Sequence, residues 1–123
     1  MYLVIDNSLN DQIVFHTCLN TKWVQYNIER TEKGLLDLID GLLKELKLGL
    51  SDLQGIAVVV GAGKFTATRI ATTIANTLAL TLKIPVLGVN EFNENLASQL
   101  ATTSVGIYIS ALYSAPANIG GKK

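Results

Sequence analysis

The sequence lacks an excess of charge of either sign: ten acidic and ten basic side chains among 123 residues give a formal net charge of zero. The basic residues are Lys22, Arg30, Lys33, Lys44, Lys47, Lys64, Arg69, Lys83, Lys122 and Lys123, scattered rather than gathered into a stripe. A basic footprint is what holds a phosphate backbone, so direct nucleic-acid binding is not expected. Cysteine is confined to Cys18, which excludes an internal disulfide and fits a reducing compartment. Histidine is confined to His16, two positions away, so the pair would share one face of a strand. No third group to orient them is evident, and Cys18 is expected to be a buried filler rather than a thiol nucleophile. The N-terminus, MYLVIDNS, has neither the basic region nor the long apolar run of a signal peptide. Residues 95–121 carry no charge, yet Ser, Thr, Asn and Gln interrupt them. No run of about 20 apolar residues is therefore available to span a bilayer. The reading is of a soluble, cytoplasmic chain with no membrane partner.

What is present is apolar: 49% of the residues are hydrophobic and 16% charged, a composition that buries a core rather than staying disordered. One domain over residues 1–114 is expected, with 115–123 a flexible Gly- and Pro-bearing tail. YLVID (2–6), DQIVFHTCL (11–19) and KWVQYNI (22–28) read as an antiparallel three-stranded meander. Leu35, Leu36, Ile39, Leu42, Leu43 and Leu46 then take the spacing of one face of an amphipathic helix over 34–47. GIAVVVGAG (55–63) is a continuous apolar run, the mark of a parallel strand covered on both faces. A helix over 66–82, a strand at 84–89, a helix at 91–101 and a last strand at 105–113 complete the chain. The order βββαβαβ(αβ) predicts an α/β fold of the ribonuclease-H-like class, with a mixed sheet flanked by helices.

The turn GAGKFTATRI (61–70) follows a strand and opens a helix, a place where backbone amides can hold a phosphate. It is not a Walker A loop: Phe65 follows Gly63-Lys64, and Val58 stands where the first glycine is needed. Gly61 and Gly63 suit a tight turn, and Thr66 is expected to cap the helix. Ribonuclease-H-like nucleases hold paired metal ions with carboxylates on adjacent strands. Asp6 ends the first strand, but the run VVVGAG offers no second carboxylate. Neither a metal site nor catalytic residues are expected.

LVIDNS, followed by LLDLIDGLLKELKLGLSDLQGIAVVVGAGKFTATRIATTIANTLALTLKIPVLGVNEF, resembles the TsaB (YeaZ) family over about residues 2–113. Ile5-Asp6-Asn7-Ser8 matches that family's Ile-Asp-Thr-Ser strand end, and Leu35-Leu36-Asp37 its Leu-Leu-Pro helix. Residues 61–71 match Gly-Pro-Gly-Ser-Phe-Thr-Gly-Leu-Arg-Ile-Gly, with Ala62, Lys64, Ala67 and Ala71 as departures. Arg30-Thr31-Glu32 stands where the family has His-Ser-Glu. The resemblance implies an actin-like fold and a non-catalytic partner of a TsaD-like catalytic subunit in threonylcarbamoyladenosine modification of tRNA. It also implies a form shortened by the family's second domain. Without the cleft between two domains, Asp6, Ser8, Gly61, Gly63, Lys64 and Thr66 would form a vestigial phosphate loop, and no cofactor is expected. The alternative is a nucleotide-binding or phosphotransfer half-domain completed by a second chain.

Helix 66–82 has no charged side chain from Ile70 to Leu82. Ile70, Ile74 and Leu78 are expected to face the sheet, leaving Ala71, Ala75 and Ala79 as a stripe of small residues open to another helix. With Leu38 and Leu42 of the first helix and Leu78, these alanines define the expected partner interface. A homodimer through helices 34–47 and 66–82 follows from it, agreeing with the subunit contact that the resemblance implies.

Overall fold

The computed structural model describes residues 1–7, 11–29, 31–60 and 65–109. Strands β1 (Tyr2–Asp6), β2 (Gln12–Leu19) and β3 (Lys22–Glu29) are followed by helix α1 (Leu35–Glu45) and strand β4 (Gly55–Val59). Helix α2 (Phe65–Leu82), strand β5 (Val86–Val89) and helix α3 (Leu96–Thr102) follow. The strands form one five-stranded sheet in the order β3-β2-β1-β4-β5. The first three are an antiparallel meander, whereas β4 runs parallel to both β1 and β5. This is the mixed, helix-flanked α/β sheet that the ribonuclease-H-like reading requires.

Local chemistry explains the elements. Asn20 and Thr21 both take positive φ, 54° and 64°, which makes the two-residue turn between β2 and β3 match the strand twist. Every residue of β4 is buried, as a parallel strand between two layers must be. Its alternate side chains serve two cores. Ile56 and Val58 join Leu3, Ile5 and Phe15 beneath α1 and α2, while Ala57 and Val59 join Val4 beneath Leu96 and Leu100 of α3. Gly55 lets α3 sit close: a Cβ there would stand 3.2 Å from the Leu100 Cβ and 3.1 Å from the Tyr2 ring. On α1, Leu35, Ile39, Leu42 and Leu43 turn inward at helical spacing. Asp40 and Lys44 pair at 3.0 Å on its exposed side, a contact of about 0.3–0.5 kcal/mol.

Three expectations are corrected. Helix α2 buries the stripe Thr68, Ala71, Thr72, Ala75, Leu78 and Ala79, so the alanines face the sheet, not a partner. Ile70, expected inside, is 47% exposed. The sheet surface below carries Ile56 and Val58, and large residues on a sheet leave room only for small ones on a helix that lies close. The residues from Ser104 to Ile109 form no strand, and 110–113 lie outside the described residues, as does the tail expected over 115–123. Helix α2 starts at Phe65, which puts Thr66 in its first turn rather than at its cap.

Candidate functional site

The strand-end site is only partly drawn together. Asp6 closes β1 in a half-buried position, and Thr66 is exposed in the first turn of α2. Ser8, Gly61, Gly63 and Lys64 lie outside the described residues. Asn7 is what ties the strand end to the helix: it is buried, and its Nδ2 donates to the carbonyl of Ala67 at 2.9 Å. That role was missed in the sequence, although the polar Asp-Asn step after an apolar strand was its signal. Among the described residues, no group of three or more His, Cys, Asp and Glu side chains could hold a metal ion.

On the face of the sheet away from α1 and α2, β2 directs His16 and Cys18 to the same side, as alternation requires. The His16 ring stacks on Phe92 at 3.8 Å and 7°, and Trp23 meets the same Phe92 edge-on at 5.0 Å. The Trp23 Nε1 donates to the carbonyl of Glu94 at 3.1 Å, so the β2–β3 hairpin holds the loop that leads to α3. Beside this cluster, Tyr2, Cys18, Trp23, Gln54 and Glu94 line a cleft of about 430 Å³. Burial pushes the Cys18 thiol up, against the opposing effect of the Met1 amine and the Thr21 N–H. A thiol that resists ionisation is a poor nucleophile.

Burial also pulls the His16 imidazole below its ordinary value, with the Asp6 carboxylate acting in the other direction. The folded state therefore holds this proton less well than the unfolded chain does. Stability from a neutral His16 is present above the ordinary histidine value of about 6.5 and is lost as pH falls from there toward the folded value. A lower urea midpoint at pH 5 than at pH 7.5 is expected, and the difference should shrink in His16→Gln. An equal pH dependence in the two proteins would show that His16 does not carry it.

The residues expected at the partner interface separate into two groups. Leu42, Ala71, Ala75, Leu78 and Ala79 are core residues, and Leu38 is half-buried against that core. The face that α2 does turn outward carries Arg69, Ile70, Thr73, Thr77 and Leu80, with Leu80 63% exposed. A shallow apolar depression of about 430 Å³ lies among Thr66, Arg69, Ile70, Thr73 and Ile74. Farther along, Asn76 holds the segment after α3 through both amide groups. Its Nδ2 donates to the Ile109 carbonyl at 3.0 Å and its Oδ1 accepts from the Ile109 N–H at 2.9 Å. No helix among the described residues is long and apolar enough to cross a membrane.

The fold and these surfaces define an α/β domain of the actin-like, ribonuclease-H-like class. Residues 28–115 match the model of the family described as "TsaD: tRNA N6-adenosine threonylcarbamoyltransferase". The chain belongs to this family, and its relatives include proteins of the TsaB (YeaZ) kind. It is 43% identical over 56 residues to the tRNA threonylcarbamoyladenosine biosynthesis protein TsaB of Buchnera aphidicola subsp. Schizaphis graminum, covering 46% of this chain and 27% of that one. It is 24% identical over 102 residues to the tRNA N6-adenosine threonylcarbamoyltransferase of Syntrophotalea carbinolica, covering 83% of this chain and 30% of that one. The solved structure of YeaZ from Pseudomonas aeruginosa superposes with a TM-score of 0.64 at 28% identity, covering 73% of this chain and 42% of that one. The chain thus spans well under half the length of the relatives it matches.

Proposed function

We propose that this domain is a non-catalytic partner subunit that pairs with a TsaD-like catalytic subunit in threonylcarbamoyladenosine modification of tRNA, in the cytoplasm. The observation that carries the reading is the outer face of α2: apolar and hydroxyl side chains with no charge from Ile70 to Leu82. A helix face in water normally carries charge, and an uncharged one marks a place for another protein. Exposed Leu36 of α1 adds a further apolar side chain on the helix side. A second copy of the chain can take the α2 face, as a homodimer held through the helices, only in competition with the catalytic subunit.

Ile70→Glu tests the proposal. Ile70 lies outside the core, so the fold should persist while affinity for a TsaD-like subunit falls tenfold or more, an interface loss of about 1.4 kcal/mol or greater. Affinity unchanged by Ile70→Glu, measured by titration calorimetry, would overturn the docking face. ATP added in the same instrument separates this reading from a nucleotide-binding half-domain, since micromolar binding by the isolated chain belongs to the latter.

A further inference from the structure

We propose that the free edge of β3, with the groove between it and α1, takes β3 of a second copy in antiparallel register and joins two sheets into one. Among the described residues, β3 is an edge strand with no neighbour on its outer side. It is eight residues long, and between Lys22 and Glu29 it has neither a charge nor a proline. Protected edges are short, charged or broken by proline. This one is not.

The hydrogen-bond phase follows from the turn. Leu19 faces Lys22 across a two-residue hairpin, and that flanking pair exchanges both of its backbone bonds. Lys22, Val24, Tyr26 and Ile28 therefore bond inward to β2. Trp23, Gln25, Asn27 and Glu29 present their N–H and C=O groups outward. A two-fold axis normal to the sheet and passing beside Gln25 pairs it with the partner's Gln25, and Trp23 with the partner's Asn27. Both pairs consist of outward-facing residues, and the helices of both copies stay on the same side.

The side chains agree with this register. Val24, 40% exposed, meets the partner's Tyr26, a favourable aromatic and β-branched combination. On that side a groove of about 520 Å³ runs between β3 and α1, floored by Tyr26, Ile28, Leu38 and Leu42. Asp37 and Glu45 outnumber Lys33 along it, and the antiparallel partner brings its Lys22 onto this face opposite Ile28. Parallel pairing would instead set Lys22 beside the partner's Lys22.

Gly41 is the independent sign that the groove has an occupant. It stands in the middle of α1, exposed, and a Cβ added there would meet nothing within 4 Å. Glycine weakens a helix interior, and nothing among the described residues repays that cost. Gly41 lines the groove and keeps its wall low, as close approach of another chain requires.

Light scattering and sedimentation of the Ile70→Glu protein, whose α2 face is closed, test the proposal. A dimer is expected at micromolar to hundred-micromolar concentrations. Gln25→Pro removes an outward N–H that β2 does not use, and should give a monomer with an unchanged far-ultraviolet circular dichroism spectrum. Gly41→Leu should weaken the dimer at least tenfold while leaving the melting temperature of the monomer equal or higher. Gln25→Cys should form an interchain disulfide under mild oxidation. A monomer at all concentrations, or a dimer indifferent to both Gln25→Pro and Gly41→Leu, overturns the proposal.

Discussion

Ala75→Glu is expected to abolish the folded state. Ala75 has no exposed surface and lies at the middle of the stripe that α2 presses onto the sheet, between Ala71 and Ala79. A glutamate there adds volume where the helix already lies close, and it brings a charge into an apolar layer. Overpacking alone costs about 1–3 kcal/mol. Leaving a carboxylate without a partner in the core raises the total toward 4–5 kcal/mol or beyond, a large share of the roughly 5–15 kcal/mol that stabilises a domain. The circular dichroism melt should show no cooperative transition, or one lowered by tens of degrees. The contrast with Ile70→Glu, on the same helix but outside, makes the experiment decisive. A folded Ala75→Glu protein with a near-native melt would mean that the alanine stripe faces outward after all.

Phe15→Ala should be the next most damaging. Phe15 is fully buried in β2, opposite Ile5 on β1 and Tyr26 on β3, so it ties the centre of the meander to the core below the helices. Truncation removes the ring and leaves a cavity that flanking strands cannot collapse without losing register. A loss of about 3–5 kcal/mol is expected, read from the urea midpoint. Val105→Ala, at an exposed position after α3, should shift the same midpoint by less than about 0.5 kcal/mol. Equal effects from the two substitutions would contradict the burial of Phe15.

Much of the fold was legible in the residues because its signals are local. Strand-forming runs over 12–19 and 22–29, with a two-residue Asn-Thr turn between, specify a hairpin by composition and spacing alone. The run at 55–59 is apolar at every position because both of its faces are covered, and no antiparallel surface strand would show that pattern. The segment at 105–109 misled for the same reason that the others succeeded. VGIYI has the composition of a strand, but Asn76 takes up both backbone groups of Ile109, and side-chain capture of that kind leaves no periodic trace. The aromatic cluster was illegible too, since His16, Trp23 and Phe92 meet across three separate segments.

Helix α2 shows most clearly where local information ends. Thirteen residues without charge establish an apolar helix, and both of its stripes, Ile70–Ile74 and Ala71–Ala75–Ala79, satisfy the helical period. Hydropathy favours isoleucine inside. The sheet overrules it at Ile70 and leaves Ile74 half-buried, because Ile56 and Val58 rise from β4 and the helix comes down close to them on its alanines. Which stripe is buried depends on the volume that remains above another element, and a period cannot encode that. The class of fold, the strand pairing around the first hairpin and the presence of an uncharged helix belong to the chain's own pattern. The side of that helix left for a partner, and the low wall at Gly41 beside an open edge, exist only once the sheet and helices are packed together.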